Sequence, residues 1–434
     1  MRKHLRVLAP LAAIPLILTG CGDDGDGGTS TNSDGTDTQS TGEAIEFWTA
    51  WTDGADTEKA SLPLIEQFIE DTGCEVNQTN FTYDMLHEKV IAAAAGQNLP
   101  DVAWGLPEYV AEFYKLGILA DLSADWDTWA DKDKVGESIK AAMEIDGKII
   151  GFPYEATARA YLVHDDLLAE AGVEVPATWE EVLAVGSKVQ DATGASFYGL
   201  TGTGVRSPQE LVVYLAQAGV EIAVAQGDGL YRNTWNDNPD ELAEAATVFK
   251  FYQDLMASGA VNANSATYGW EETDENFATA LTASFVTGNW LSERESTNPE
   301  MGDVSVHPVP QPADGKPATY IEAKPLMVFN TSKNLSCATK LAIAFTSEEW
   351  QKAAFPARSA LSTVSTDTKW SKDFSALLAN GITFPPISMG EVSQNMIDSL
   401  ARALQENEAP EATAAWLSDA VNKSLENAGE LGTP

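Results

Sequence analysis

Tryptophans and carboxylates follow two of the predicted strands of this chain, at the points where the strands end. Trp51 and Asp53 come shortly after the apolar run AIEFW, which ends at residue 48. Trp104 ends a later apolar run, and Glu108 follows four residues after it. Carboxylates accept hydrogen bonds from two hydroxyl groups at once, whereas the flat face of an aromatic ring packs on C–H groups. The two residue types together suit a ligand with both hydroxyl groups and C–H faces.

The elements that carry these residues alternate between strand and helix. After AIEFW, the segment PLIEQFIE has the apolar spacing of a helix, and Gly73 stands where a C-terminal cap is expected. The strand CEVNQ, a helix from Tyr83, the strand PDVAW and a helix from Pro107 follow in turn. This order predicts parallel βαβ units in an α/β fold. Ligands of such sheets lie beyond the carboxyl ends of the strands, which gives weight to residues just after strands.

The N-terminus has the features of an export signal. Three positive charges precede an apolar stretch of about twelve residues, shorter than the roughly 20 that span a bilayer as a helix. Pro10 and Pro15 argue against the alternative of a buried helix. The sequence LTGC resembles the lipobox of bacterial lipoproteins, so we expect residues 1–20 to be removed and Cys21 to be lipidated. Residues 21–42 contain no large apolar side chain and are predicted to form a flexible linker.

Net charge and hydrophobic content limit the class of protein and the class of ligand. Removing the three positive charges of residues 1–20 would take the formal net charge from −39 to −42. A surface this acidic repels nucleic acid and anionic lipid, although acidity alone indicates only a solvated surface. With 44% hydrophobic residues, the 392 residues from Glu43 to Pro434 exceed a single ordinary core and indicate two lobes.

Cysteine and histidine are sparse after the signal. Cys74 and Cys337 could form a disulfide outside the cell, or remain two separate buried thiols. His87, His164 and His307 are scattered, and no Cys/His cluster has the spacing of metal ligands. We therefore expect neither a metal site nor a cofactor.

Six stretches together resemble the extracellular solute-binding proteins of ABC importers, in the family that takes up sugars and oligosaccharides. The stretches are LPLIEQFIEDTG, LPDVAWGLPEYVAEFYKLGILADLS, DGKIIGFPYEATARAYLVHDDLLAEAGVEVPATWEEV, TASFVTGNWLSE, SKNLSCATKLAIAFTSEEWQ and FPARSALS. They run in the family's order over nearly all of residues 43–430. The resemblance implies a monomer, lipid-anchored to the outer face of the cytoplasmic membrane, that delivers an oligosaccharide to ABC permease subunits by hinge closure.

The resemblance also implies an architecture. Two α/β lobes of the periplasmic-binding-protein type are expected, joined by a hinge and separated by a ligand cleft. The chain should cross between the lobes near residues 153–158, 316–322 and 358–367. The N-terminal lobe would then comprise residues 43–154 plus 320–360, and the C-terminal lobe residues 155–319 plus 361–430. Cys74 and Cys337 fall in the same lobe on this assignment.

Further ligand residues follow from the resemblance. Glu108 falls where an acidic residue often binds sugar hydroxyls, although a carboxylate there also suits a helix N-terminus. Trp290 follows the strand TASFVTG at the family's most regular aromatic position. Trp270, on a predicted loop, suits a ligand ring better than a core. The loop GTGVRS nearly matches the dinucleotide pattern G-x-G-x-x-G, but it lacks the third glycine, and we interpret it as a loop approaching the cleft.

Charged residues at the crossovers complete the predicted site. Glu155 and Arg159 either reach the cleft or pair with each other at (i, i+4) on an exposed face. Glu322 and Arg358 lie at the later crossovers. The predicted ligand-binding set is Trp51, Asp53, Trp104, Glu108, Glu155, Arg159, Trp270, Trp290, Glu322 and Arg358.

Two alternative functions stay open from the sequence. A secreted glycoside hydrolase also combines aromatics with carboxylates, and it needs two carboxylates about 5 to 10 Å apart on either side of one bond. Acidic pairs are abundant here, none stands out, and no G-x-S-x-G signature occurs, so we expect no enzyme. A binding protein for a non-sugar solute, such as a peptide or polyamine, agrees with the acidity but not with the resemblance.

Overall fold

The computed structural model describes residues 43–433 apart from 52–55, 205 and 365–369. The predicted signal peptide (1–20), the lipidation site Cys21 with its linker (21–42), and Asp53 lie outside the described residues. These assignments stay predictions.

Strands and helices alternate through the first part of the chain, as the sequence predicts. The strands are β1 Ile45–Thr49, β2 Val76–Asn80, β3 Val102–Trp104, β4 Glu144–Ile145, β5 Lys148–Ile149, β6 Phe152–Ala158, β7 Ala160–His164, β8 Ser196–Gly199, β9 Val224–Gly227, β10 Leu230–Arg232, β11 Thr282–Thr287, β12 Val304–His307, β13 Thr319–Val328 and β14 Gly381–Ile382. The helices are α1 Asp56–Thr72, α2 Tyr83–Gly96, α3 Val110–Lys115, α4 Ser123–Thr128, α5 Glu137–Ala142, α6 Asp165–Ala171, α7 Trp179–Thr193, α8 Ser207–Ala218, α9 Pro239–Ser258, α10 Trp270–Ala278, α11 Leu335–Phe345, α12 Glu348–Ala354, α13 Ser371–Leu377, α14 Met389–Leu404 and α15 Pro410–Ala428.

The first sheet has six strands. Five of them run in the order β14-β13-β3-β1-β2, and β6 pairs with β13. β1 lies parallel to both β2 and β3, which confirms the predicted βαβ units. β13 runs antiparallel to β3 and β6, so its residues face strands distant in sequence. All ten residues of β13 are buried, and this strand therefore forms the centre of the first core.

The second sheet has four strands, in the order β12-β7-β11-β8. β7 runs antiparallel to β11 and β12, while β11 runs parallel to β8. Every residue of β7 and β11 is buried, as expected for strands covered on both faces. The described residues therefore form two large sheets, each with its own buried strands, besides the two-stranded pairs β4-β5 and β9-β10.

The chain passes from the first sheet to the second at Arg159, the residue between β6 and β7. It returns between β12 and β13. Trp370 and Phe374 then pack with Leu162 and Phe285 of the second sheet, whereas β14 pairs with β13 in the first. β14 thus joins the first sheet although it lies within the range assigned to the C-terminal lobe. The exact lobe limits stay a prediction.

Two local sequence signals fold as such signals predict: Asp-Gly between two extended runs for a tight turn, and Thr-x-x-Glu for a capping box. Asp146 and Gly147 adopt positive φ angles of 52° and 72° in the turn between β4 and β5. The Thr178 hydroxyl accepts a hydrogen bond from the Glu181 N–H at 3.2 Å, which begins α7 with the expected capping box. The prediction of a loop at Trp270 is wrong, because α10 begins at that residue. Glu272 caps this helix by accepting the Gly269 N–H at 3.0 Å.

Cys74 and Cys337 are joined by a disulfide in the structure. Cys74 precedes β2 and Cys337 lies in α11, which are 263 residues apart in sequence. Both side chains are buried. Of the two alternatives that the sequence leaves open, the structure has the disulfide.

Candidate ligand-binding site

A cavity of about 630 Å³ is lined by residues that follow strands of both sheets. This volume lies within the range of roughly 300–1,000 Å³ typical of small-molecule sites. Predicted ligand residues form a large part of its wall: Trp51, Trp104, Glu155, Trp270, Trp290 and Arg358.

The parallel strands of the first sheet bring one side of this wall together. Trp51 follows β1 and Trp104 ends its parallel neighbour β3, so both lie at the carboxyl edge of the sheet. Asn80, at the end of β2, holds the backbone of Trp51 in place. Its side-chain carbonyl accepts the Trp51 N–H at 2.8 Å, and its amide donates to the Trp51 carbonyl at 2.8 Å. The wall is therefore fixed by the strand ends themselves.

Trp290, which follows β11 in the second sheet, is held from several directions. Its indole N–H donates to Asp274 Oδ2 at 3.0 Å. The guanidinium carbons of Arg159 and Arg206 lie 4.6 and 4.5 Å from its ring centroid. The ring folds back over Gly288, where an added Cβ would come within 1.7 Å of Trp290 Cζ3. The glycine in VTGNW is therefore a requirement for this position of the ring.

A network of buried ion pairs supports the wall where β6 and β13 lie side by side. Glu322 contacts Arg159 Nη1 at 2.8 Å and Lys324 Nζ at 3.2 Å. Lys324 also contacts Glu155 Oε1 at 2.9 Å, and Arg358 Nη1 lies 3.5 Å from the same oxygen. These buried charges are all paired, as the low dielectric of the interior requires.

Arg358 links opposite walls of the cavity. Its Nη2 donates to Thr57 Oγ1 at 2.7 Å, and Thr57 belongs to α1 beside the first sheet. The same nitrogen lies 3.1 Å from Glu293 Oε1, in the 3-10 helix after β11 of the second sheet. This arginine is therefore in contact with both sides of the cleft.

Tyr83 stands between two buried carboxylates. Its hydroxyl oxygen lies 3.1 Å from Glu108 Oε1 and 3.2 Å from Glu322 Oε1, and its single hydrogen can be donated to one of them at a time. Burial, and next the charge of Glu322, raise the pKa of Glu108 to about 7. Burial would also raise the pKa of Glu322, but Lys324 and Arg159 outweigh it and hold that pKa well below its usual range. Glu322 therefore carries the charge, and Glu108 keeps a proton up to about neutral pH.

We expect Glu108→Gln to reduce the fall in stability between about pH 4.5 and 7. Because the pKa of Glu108 is raised from 4.5 to about 7 on folding, its contribution to the free energy of unfolding is complete below the lower value. That contribution is lost as the pH rises through the higher value. The loss is on the order of 3 kcal/mol at 1.4 kcal/mol per pKa unit. The measurement is denaturant unfolding at several pH values, with the exposed Glu244→Gln as control. If the free energy of unfolding falls with pH equally in the natural protein and in Glu108→Gln, the raised pKa of Glu108 is contradicted.

Three predicted ligand residues lie beneath the wall rather than on it. Glu108, Arg159 and Glu322 are 2%, 5% and 0% exposed. Arg159 lines a small inner space of about 20 Å³ that it shares with Arg206 and Trp290. Glu155 and Arg159 do not pair with each other on an exposed face, because both are buried and each pairs with a residue of β13. The part that each residue plays in binding stays a prediction.

The structure adds residues to the wall that the sequence analysis missed, among them Tyr83, Arg206, Asp274 and Lys324. One of them had a signal in the sequence, because Arg206 belongs to the GTGVRS loop that we interpret as approaching the cleft. The others depend on contacts between distant segments, such as the pairing of β6 with β13. No local pattern distinguishes them from other charged or aromatic residues.

Several polar atoms at the cavity have no hydrogen-bond partner among the described residues, although they are buried. These atoms are Trp104 Nε1, Trp270 Nε1, and Arg206 Nε and Nη1. Buried polar atoms are nearly always paired in folded proteins. The wall thus presents several donors that a ligand rich in oxygen would satisfy.

Neither a metal site nor a membrane-spanning helix occurs in the part of the chain that the structure describes. In residues 43–433, outside the gaps given above, no three His, Cys, Asp or Glu side chains come together as a metal site. Across that same part of the chain, no helix has both the length and the apolar character needed to cross a membrane.

Comparison with known proteins agrees with this geometry. Residues 51–352 match the family of bacterial extracellular solute-binding proteins. The diacetylchitobiose binding protein DasA of Streptomyces coelicolor is 24% identical over 328 residues, which cover 73% of this chain and 71% of that protein.

Solved structures share the fold. The GacH receptor of Streptomyces glaucescens, solved unliganded and in complex with acarbose and an acarbose homolog, has a TM-score of 0.77 at 22% identity, covering 88% of this chain and 98% of that one. An ABC transporter solute binding protein from Thermotoga lettingae, bound with alpha-D-tagatose, has a TM-score of 0.77 at 23% identity, covering 88% and 100%. These likenesses confirm the predicted two-lobe α/β fold. Together with the match over residues 51–352, they lead to one conclusion: the chain belongs to the bacterial extracellular solute-binding protein family.

Proposed function

We propose that this protein captures a sugar or oligosaccharide outside the cell and delivers it to an ABC permease. The observation that carries the proposal is the cavity, in which aromatic rings from both sheets stand beside carboxylates and unpaired donors. Aromatic faces pack on the C–H face of a sugar ring, and the unpaired N–H groups donate to its hydroxyl oxygens. Asp274 and Glu155 supply acceptors for the hydroxyl hydrogens.

The position of the rings supports a mechanism of lobe closure. Trp51 and Trp104 belong to the first sheet, whereas Trp270 and Trp290 belong to the side of the second. A ligand that contacts both pairs favours the closed state by its difference in affinity for the two states. Strands β6 and β13, which lie where the chain passes between the sheets, would absorb the change in backbone angles. The permease can then recognise the loaded protein by its shape.

The relatives favour a sugar over a peptide or a polyamine. DasA is named for diacetylchitobiose, and the similar structures hold acarbose and alpha-D-tagatose. These ligands differ from one another, so they support the chemical class of the ligand and not its identity.

The positions of the buried carboxylates favour sugar binding over sugar hydrolysis. Glu108 and Glu322 differ strongly in pKa, as the acid and base of a hydrolase would. However, both are buried behind Tyr83 and neither lines the cavity, so they cannot flank a glycosidic bond there. Glu155 lines the cavity in a buried ion pair with Lys324.

Calorimetric titration against a panel of neutral oligosaccharides, run beside an assay for released reducing ends, tests the proposal. We expect saturable binding of at least one sugar without any increase in reducing ends. Sustained release of reducing ends would support the hydrolase instead. Binding of a peptide or polyamine with no response to any sugar would support another solute.

The lipid anchor is part of the same proposal, and Cys21→Ser tests it. Because the lipid is attached to this cysteine, we expect the variant in the medium or as an unprocessed precursor. The measurement is immunoblotting of membrane and medium fractions, with Ser30→Ala in the predicted linker as control. The anchor assignment fails if Cys21→Ser sediments with membranes as the natural protein does.

A further inference from the structure

Arg358 is anchored on the side of the first sheet. Its Nη2 donates to Thr57 Oγ1 at 2.7 Å, and its Nη1 lies 3.5 Å from Glu155 Oε1 in β6. The Arg358 carbonyl also accepts the N–H of Ala156, in the same strand, at 2.9 Å. Both the backbone and the side chain of this arginine are therefore tied to elements of the first sheet.

Glu293 reaches this arginine from the second lobe. It lies in the 3-10 helix Asn289–Ser296, which follows β11 and packs against α10. Its Oε1 is 3.1 Å from Arg358 Nη2. If the lobes move apart, Glu293 must leave Arg358, whereas the contacts of Arg358 with Thr57 and Glu155 stay within the first lobe.

The burial of the two partners suits a contact that opens and closes. The side chain of Arg358 is 11% exposed and that of Glu293 is 34% exposed. When the contact breaks, Glu293 gains water and Arg358 keeps Glu155 as its counter-ion. Neither charge is then left buried without a partner, which is what makes a fully buried pair hard to break. The pair therefore favours the closed state by a modest amount, and the lobes can still separate.

We propose that Glu293 and Arg358 form an interlobe latch, which holds the lobes together around a bound sugar and raises the affinity without a contact between Glu293 and the sugar. The proposal rests on the proposed function and assigns Glu293 to closure. The measured affinity for a sugar includes the free energy of closing the lobes, so a contact made only in the closed state tightens binding. Glu293 is thus a positioning residue.

The first test is Glu293→Gln, which keeps the size of the side chain and removes its charge. Calorimetric titrations use the tightest binder of the neutral panel, which includes maltotriose, cellotriose, xylotriose and chitotriose. We expect the affinity to fall by about three- to tenfold, because a partly exposed, charge-assisted contact is lost. Glu275→Gln is the matched control, because Glu275 pairs at 2.6 Å with Arg294 of the same 3-10 helix, within the second lobe.

Two outcomes of this titration are contrary to the proposal and differ in what they reject. Affinity in Glu293→Gln equal to that of the natural protein would overturn the latch and leave the proposed function intact. If no sugar of the panel binds the natural protein, the proposed function is contradicted, and the latch with it.

The second test separates the latch from a direct contact between Glu293 and the sugar. The latch is absent in an Arg358→Gln background, so Glu293→Gln should change the affinity there by less than about twofold. A loss as large as in the natural background would show that Glu293 binds the sugar itself and would overturn the proposal. If Arg358→Gln does not fold, as judged by denaturant unfolding, Arg358→Lys takes its place, because a single nitrogen cannot occupy the positions of both Nη1 and Nη2.

Discussion

Trp290→Ala is expected to weaken sugar binding by about 1–3 kcal/mol, which is roughly 5- to 150-fold in Kd. The ring lines the cavity and is held there by Asp274, whose Oδ2 accepts its indole N–H at 3.0 Å. Truncation removes the apolar face and also one of the three rings, those of Tyr83, Trp270 and Trp290, that surround the Arg206 guanidinium. The measurement is calorimetric titration with the best neutral oligosaccharide. We expect the variant to remain folded, because Trp290 is only partly buried.

Gly288→Ala tests the same ring without removing it. A Cβ at this position would lie 1.7 Å from Trp290 Cζ3, so the ring must move. We expect a loss of affinity in the same direction as for Trp290→Ala. Gly302→Ala is the control, because nothing lies within 4 Å of an added Cβ there. Full-affinity binding by folded Trp290→Ala would reject the ring as a ligand contact, whatever Gly288→Ala does.

The second large effect concerns stability. Replacing Cys74 and Cys337 together with alanine is expected to lower the free energy of unfolding by about 5 kcal/mol. The bond closes a segment of 263 residues, and the chain-entropy argument gives about this value for so long a loop. Loss of buried sulfur atoms adds to the effect. The measurement is denaturant unfolding of the natural protein and of the double variant.

A reducing agent separates the bond from the packing of the sulfur atoms. We expect it to destabilise the natural protein and to leave the double variant unchanged. Equal sensitivity of both proteins would show that the reagent acts elsewhere. Two free thiols in protein made in an oxidising compartment, measured by mass after labelling under denaturing conditions, would contradict the disulfide itself.

Elements with local patterns were predictable from the sequence. The apolar runs that form β1, β2 and β3, the turn at Asp146-Gly147 and the capping box at Thr178 all depend on neighbours within a few residues. Trp51 and Trp104 could be placed at the cavity for the same reason, because parallel strands end at one edge of the sheet. The position of Trp290 came from the family resemblance and agrees with the structure.

Contacts between distant segments were not predictable, even for residues such as Arg159 and Glu322 that belong to the predicted set. Arg159 becomes a neighbour of Glu322 and Lys324 on β13 only because β6 pairs with that strand, which lies more than 150 residues away in sequence. Their burial changes what they can do, since Arg159 and Glu322 pair with each other beneath the wall instead of facing the ligand directly. Trp270 is predicted to lie on a loop, whereas it is the first residue of α10, directly after the N-cap Gly269.

Arg206 is another residue whose contacts could not be predicted from the sequence. GTGVRS is predicted to be a loop that approaches the cleft, because it lacks the third glycine of the dinucleotide pattern. Nothing in the loop indicates that its arginine meets Tyr83 from one lobe and Trp270 and Trp290 from the other. These three rings surround Arg206 only in the folded arrangement of the two lobes.

A sugar captured between the lobes is expected to bring them together. Small-angle X-ray scattering, recorded for the protein alone and saturated with the sugar that binds in calorimetry, tests it most directly. Because ligand residues come from both sheets, the account predicts a smaller radius of gyration in the presence of the sugar. An unchanged radius at saturation would contradict closure of the lobes around the ligand.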